Sequence, residues 1–131
     1  MKINKHTKIY FSVSSFPSNR GSILHNFLFS AFSFNAIYIP LRIKKLETFI
    51  SFVKEISQNM GGFSVSMPFK KTIFKFLDKH HISCKITKNV NTIINKKHKL
   101  IGYNTDFMAS NQILDLKIKK IRSCLLLGNG S

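Results

Sequence analysis

Acidic side chains are scarce in this sequence. Five Asp and Glu residues stand against 21 Lys and Arg, giving a formal net charge of +16 at pH 7 and a pI near 10.2. Tryptophan is absent, proline occurs three times and glycine six times. So little Pro and Gly, set against 44% hydrophobic residues and 13 Phe, argues against a low-complexity or disordered chain. No apolar run approaches the roughly 18 residues that a membrane-spanning helix needs. The opening stretch, MKINKHTKIYFSV, places basic residues before an apolar segment. That segment is short, interrupted by Ser and followed by no small-residue cleavage site, so it does not read as a secretory signal. The expectation is a soluble, cytoplasmic chain whose 131 residues build one core.

Cysteine is nearly as rare. Cys84 and Cys124 share no CxxC spacing, which leaves two reduced thiols rather than a disulfide or zinc pair. The histidines form no ligand pattern either: His80 and His81 are adjacent, so on a helix they would point about 100° apart. No metal is expected.

Positive charge is plentiful, and a field of that sign draws polyanions. Yet only Arg20, Arg42 and Arg122 supply the guanidinium forks that read base edges, and the lysines are scattered along the whole chain. No helix-turn-helix, zinc-finger or RNP-type pattern accompanies them. The wealth of Lys, Asn, Ile and Phe also points to an AT-rich coding sequence. Nucleic acid is therefore not the expected partner. A non-enzymatic basic domain on nucleic acid or an anionic surface stays open as the alternative, as does a degenerate gene product.

Strand and helix periods alternate along the chain. Lys8 to Ser14 alternates Ile9, Phe11 and Val13 with other residues, the period of a strand. SSFPSNRGS is a loop by composition, and Ser22 is placed to cap a helix whose apolar positions are Ile23, Leu24, Phe27, Leu28, Ala31 and Phe32. Ala36 to Pro40 reads as a buried strand, and residues 44–57 as a helix with the stripe Leu46, Phe49, Ile50, Val53 and Ile56. Gly61 and Gly62 close that connection before a strand of Phe63, Val65 and Met67, ended by Pro68. A helix with Ile73, Phe74 and Leu77 follows, then another over Ile82 to Lys88. Val90–Asn95 and Lys99–Tyr103 form two short strands around a polar turn, Thr105 to about Leu114 a helix, and Ile121–Leu127 a buried strand. This alternation predicts an α/β fold, a three-layer sandwich with a mainly parallel mixed sheet flanked by helices.

Four segments fall at strand ends, where open α/β sheets place their ligands. PSNRGSILHN, residues 17–26, runs a polar loop into a helix N-terminus, suited to an anion such as a carboxylate, though it also suits an ordinary cap. In SVSMPFK, residues 64–70, Lys70 stands just past a strand, placed for acid–base work or simply solvated. In VNTI, residues 90–93, Asn91 offers both a donor and an acceptor. In GYNTD, residues 102–106, Asp106 either caps a helix or holds Lys70 in orientation.

Taken in order, Pro-Phe-Lys, Val-Asn-Thr and Gly-Tyr-Asn-Thr-Asp resemble the motif series of shikimate dehydrogenases, over nearly the whole chain. PSNRGSILHN and VSMPFK are most similar to the shikimate dehydrogenase-like subgroup. The resemblance implies a substrate-binding domain over residues 1–120, with 121–131 the first strand and glycine turn of a truncated dinucleotide-binding domain. It makes Lys70 the catalytic acid/base and Asp106 its partner, with Asn91, Asn19, Gly21, Ser22 and Ser66 at the substrate. Asn19 and Gly21 stand where the family carries its Ser-x-Ser pair, and Ser64 and Ser66 where biosynthetic members carry Asn and Thr. Gly128 and Gly130 would open a cofactor-binding G-x-G-x-x-G turn. The implied activity interconverts 3-dehydroshikimate and shikimate with NADP, in aromatic amino acid biosynthesis, on a shikimate- or quinate-like acid. These residues alone are not expected to hold NADP or to turn over. Self-association through the edge at 121–127, or a complementing Rossmann chain, is the expected partnership.

Overall fold

A computed structural model describes residues 3–117, with Ser123, Leu125 and Leu127 beyond them. The turn expected at Gly128 and Gly130 lies outside the described residues, as do Cys124 and most of the strand expected over 121–127.

Six strands make one sheet: β1 (Lys8–Ser14), β2 (Ala36–Arg42), β3 (Met60–Val65), β4 (Lys79–His80), β5 (Thr92–Lys96) and β6 (Lys99–Tyr103). They lie in the order β2-β1-β3-β5-β6-β4. β1 pairs parallel with β2 and β3, and β4 parallel with β6, while β5 runs antiparallel to β3 and β6. The sheet is thus mixed, with parallel pairing in the majority. The helices are α1 (Arg20–Ala31), α2 (Leu46–Glu55), α3 (Phe69–Thr72), α4 (Ile82–Thr87) and α5 (Thr105–Lys117), and a 3-10 turn, Ile73–Phe76, extends α3.

The strand period sorts the core. Phe11 and Val13 of β1 stand in register with Phe63 and Val65 of β3, and Phe63 is opposite Ile93 of β5. These side chains share one sheet face, which α2 covers with buried Leu46, Phe49, Ile50 and Val53. Phe49 sits edge-on to Phe11 at 5.8 Å and to Phe63 at 5.1 Å between ring centroids. Phe69, Ile73, Leu77 and Val90 continue the same core beneath β5 and β6. The opposite face carries Tyr10, Tyr38 and Ser64, and α1 crosses only its β1–β2 side.

Several boundaries differ from the sequence expectation. Gly61 and Gly62 do not precede β3 but lie within it, at a register shift against β1. A Cβ on Gly61 would enter the Tyr10 ring, and one on Gly62 would stand 2.5 Å from the Ile93 carbonyl oxygen. Glycine is there for close approach rather than for a turn. β2 continues through Pro40 to Arg42 because it is an edge strand, where a missing N–H costs no ladder bond. β4 is too short to show a period. The turn between β5 and β6 puts Lys97 and His98 at φ 52° and 62°, as a tight two-residue hairpin demands. Cys84 is buried and free. Burial pushes its thiol pKa up, and the S–H donates to the His81 and Gly102 carbonyls at 3.1 and 3.2 Å.

The largest departure concerns α1. Its expected apolar stripe does not face the sheet: Ile23, Leu24 and Phe27 are exposed, and Ser22 is its one buried residue.

Candidate functional site

Main-chain bonds bring the site together before any side chain is considered. The Val90 N–H donates to the Lys70 carbonyl at 2.9 Å, the Asn91 N–H to the Tyr103 carbonyl at 3.1 Å, and the Val65 N–H to the Asn91 carbonyl at 2.9 Å. The Ser66 N–H donates to the Val13 carbonyl at 2.9 Å. The ends of β1, β3 and β6, the start of β5 and the first turn of α3 are therefore tied at one edge of the domain.

On that frame Lys70 Nζ donates to Asp106 Oδ2 at 3.2 Å, the one ion pair among the described residues. The lysine side chain is 23% exposed and the aspartate 70%, so the pair opens to solvent on its carboxylate side. A pair that wet adds little stability, and its effect is to aim the ammonium group.

Asn91 lies just before β5 rather than inside a strand, and its orientation is settled by its neighbours. Its Oδ1 accepts from the Thr105 N–H at 2.9 Å, from the Thr105 hydroxyl at 3.1 Å and from the Thr92 hydroxyl at 3.0 Å. A backbone N–H can only donate, so the atom facing it is the carbonyl oxygen. The acceptor expected to serve a ligand is already taken, which leaves the Nδ2 donor for that task.

Asp106 is not the helix cap. Asn104 is: its Oδ1 accepts from the Phe107 N–H at 3.0 Å, its Nδ2 donates to Thr87 Oγ1 at 2.9 Å, and its own N–H donates to Ser83 Oγ at 3.0 Å. With Asn104 capping α5, Asp106 sits in the first turn and turns to Lys70. Asn104, Thr92 and Thr105 are the residues that sequence reasoning passed over. The asparagine signal was present, since Asn in front of a helix is a cap as readily as Asp.

The loop residues gather less closely. Asn19 occupies the cap position of α1 with no side-chain cap bond, and Ser22 is not the cap but lies buried in the first turn. The Ser22 hydroxyl donates to the Asn19 carbonyl at 2.9 Å, so it is occupied locally. Gly21 rests against Tyr38, where a Cβ would meet the ring at 3.6 Å. The Tyr38 hydroxyl in turn bonds Ser64 Oγ at 2.8 Å, and Ser64 is in register with Thr92. No hydrogen bond among the described residues joins Asn19, Gly21 or Ser22 directly to Lys70 and Asp106. A groove of ≈ 410 Å³ runs from Ser64 and Thr92 along the sheet to Tyr10, His25, Phe29 and Ile94. Burial pushes the Tyr10 phenol up. Among the described residues no three His, Cys, Asp or Glu side chains cluster as a metal site.

A mixed α/β sheet carrying a Lys–Asp pair and a donor-oriented Asn at its strand ends is the build of a small-molecule-binding domain. The comparisons say which. The family described as the shikimate dehydrogenase substrate binding domain matches residues 18–93, more than half of the chain, and the chain belongs to it. The shikimate dehydrogenase-like protein of Haemophilus influenzae is 36% identical over 129 residues, 98% of this chain and 47% of that protein. The shikimate dehydrogenase (NADP(+)) of Caldivirga maquilingensis is 37% identical over 109 residues, 82% of this chain and 39% of the relative. A solved shikimate 5-dehydrogenase-like protein superposes with a TM-score of 0.84 at 37% identity, over 89% of this chain and 43% of that one. The chain thus spans less than half the length of the relatives it matches. Within the described residues no helix is long and apolar enough to cross a membrane.

Proposed function

We propose that this chain is the substrate-holding half of a shikimate dehydrogenase (NADP) type oxidoreductase, binding a small polyhydroxylated acid of the shikimate or quinate kind. The observation that carries the reading is the Lys70–Asp106 pair at 3.2 Å beside an Asn91 whose carbonyl is already spoken for. In this reading Lys70 Nζ as the neutral amine takes the proton from the hydroxyl being oxidised, becoming the ammonium, and as the ammonium returns that proton in the reverse direction. Asp106 keeps the ammonium aimed, and Asn91 Nδ2 donates to a neighbouring substrate oxygen. In the same reading Asn19, Gly21, Ser22 and the first N–H groups of α1 would take the substrate carboxylate, and Ser66, whose N–H donates to the Val13 carbonyl, would complete the site.

The Caldivirga maquilingensis relative is named for NADP(+), the hydride carrier this reading requires. Among the described residues no G-x-G-x-x-G turn opens a helix, so nothing described fits a dinucleotide pyrophosphate. Residues 1–120 are assigned to the substrate domain and 121–131 to the start of a cofactor domain on the strength of the motif order alone.

Calorimetric titration of the purified chain with shikimate tests the reading. The expected result is a measurable heat that Lys70→Ala and Asp106→Asn reduce by on the order of tenfold or more in affinity, the value of a charge-assisted hydrogen bond. Binding should change little between about 50 and 200 mM salt, whereas phosphate-driven binding of nucleic acid would fall steeply. No heat with shikimate or quinate, or undiminished heat in Lys70→Ala, overturns it. The 131 residues by themselves should reduce no NADP with shikimate.

A further inference from the structure

The turn between β5 and β6 gathers positive charge at a cost to the hairpin. Lys96, Lys97, His98 and Lys99 are basic residues in an unbroken run. Lys96 stands directly opposite Lys99 in the ladder, and like charges so placed repel. Between them Lys97 and His98 are both held at positive φ, in a turn that Asn-Gly or Asp-Gly makes with less strain. A hairpin selected for stability alone would carry neither feature. Strain kept in this way points to a use for the side chains.

Beside the turn lies a pocket of ≈ 210 Å³, lined by Lys8, Lys97 and His98 together with Ser57, Gln58 and Asn95. No acidic side chain lines it. It is remote from Lys70. Asn91 precedes β5 and Asn104 follows β6 at one end of the hairpin, and the turn joins the two strands at the other.

Hydrogen bonds fix most of its polar groups. Lys8 Nζ donates to the Gln58 carbonyl at 2.7 Å, which uses one of its three protons and anchors the ammonium. His98 Nδ1 bonds Ser57 Oγ at 2.9 Å, so Nε2 is the ring atom left for a ligand. Asn95 Nδ2 donates to the Ser57 and Met60 carbonyls at 2.7 and 2.9 Å, which settles which amide atom is the nitrogen. Its Oδ1 is buried and accepts no hydrogen bond from the described residues. A buried acceptor left unpaired is unfavourable. The pocket therefore combines two ammonium groups and an imidazole with one acceptor in want of a proton.

We propose that this pocket is a binding site for hydrogen phosphate, separate from the site at Lys70 and independent of the role given to that lysine. Hydrogen phosphate matches both requirements. Its charged oxygens take the N–H donors of Lys8, Lys97 and His98, and its P–O–H donates to Asn95 Oδ1. Its charge also offsets the repulsion between Lys96 and Lys99. Sulfate has the same shape but carries no proton at neutral pH, and neither does the phosphodiester of a nucleic acid. The volume, below the roughly 300–1,000 Å³ of pockets for larger ligands, suits a small ion rather than a nucleotide.

Titration of inorganic phosphate into the isotope-labelled chain, followed by heteronuclear NMR near about pH 7 and at a constant ionic strength of about 150 mM, tests the site. Saturable shifts are expected at Ser57, Asn95, Lys97 and His98, with a dissociation constant on the order of 1 mM. Sulfate should bind at least about tenfold more weakly, because it leaves the Asn95 acceptor unpaired. Lys97→Asn combined with His98→Gly installs the residues that the turn prefers and so separates the site from the fold. This double variant should melt no lower than the parent and lose phosphate affinity by about tenfold or more. Three results each overturn the proposal: shifts spread over the lysines of the whole chain without saturation, sulfate binding as tightly as phosphate, or undiminished phosphate binding in the double variant.

Discussion

α1 and α2 cover opposite faces of one sheet, and they are held by different physics. α2 buries Leu46, Phe49, Ile50 and Val53 into a continuous hydrocarbon core. α1 is clasped by polar and aromatic contacts: one carboxamide on the Tyr38 backbone, one imidazole on the Tyr38 ring, one Phe beside Tyr10. The lesson is that an apolar stripe reveals a helix but not the direction the stripe faces. What turns α1 over is the need of the edge strand. The unpaired N–H and C=O of Tyr38 require a partner that no leucine could supply. Once Asn26 faces the sheet, Ile23, Leu24 and Phe27 must face away.

Chemical denaturation of single variants would break or sharpen this contrast. Phe49→Ala should cost the most, about 3–5 kcal/mol, because it opens a cavity among Phe11, Phe63 and the rest of α2. Asn26→Ala should cost about 1–3 kcal/mol, leaving two main-chain groups of Tyr38 without their partner. Leu24→Ala should stay within about 0.5 kcal/mol. If Leu24→Ala costs as much as Phe49→Ala, the outer face of α1 is packed and the contrast fails. If Asn26→Ala is silent, the clasp is ornamental and some other contact seats α1.

Much of this was legible in the residues. β1, β6 and the helix expected over 44–57, which forms as α2, were marked by period, and Lys70 and Asp106 by their place after strands. β4 was not, because two residues hold no period. The glycines of β3 were misplaced because Gly signals a turn and a close approach equally, and only the Tyr10 ring and the Ile93 carbonyl decide between them. Asp106 was left open between capping α5 and holding Lys70, and the structure gives the cap to Asn104 because both residue types favour that position. Asn91 could be placed near a ligand but not oriented, since of the donors that fix it only Thr92 is its neighbour in sequence, while Thr105 acts from the start of α5. Long-range partners of this kind leave no trace in local pattern.

The Asn26 clasp has a consequence in time as well as in space. Its amide reaches Tyr38 only with α1 settled on the sheet, so any state in which α1 is undocked leaves β2 with a bare edge. The chain around it, FLFSAFSFNAIYIPL, is uncharged, aromatic and β-branched, the composition of a cross-β segment, and its single Pro guards only one end. Docking of that one helix is therefore what keeps the segment out of reach of a second chain. Slowing the docking, rather than weakening the finished fold, would be the direct route to aggregates.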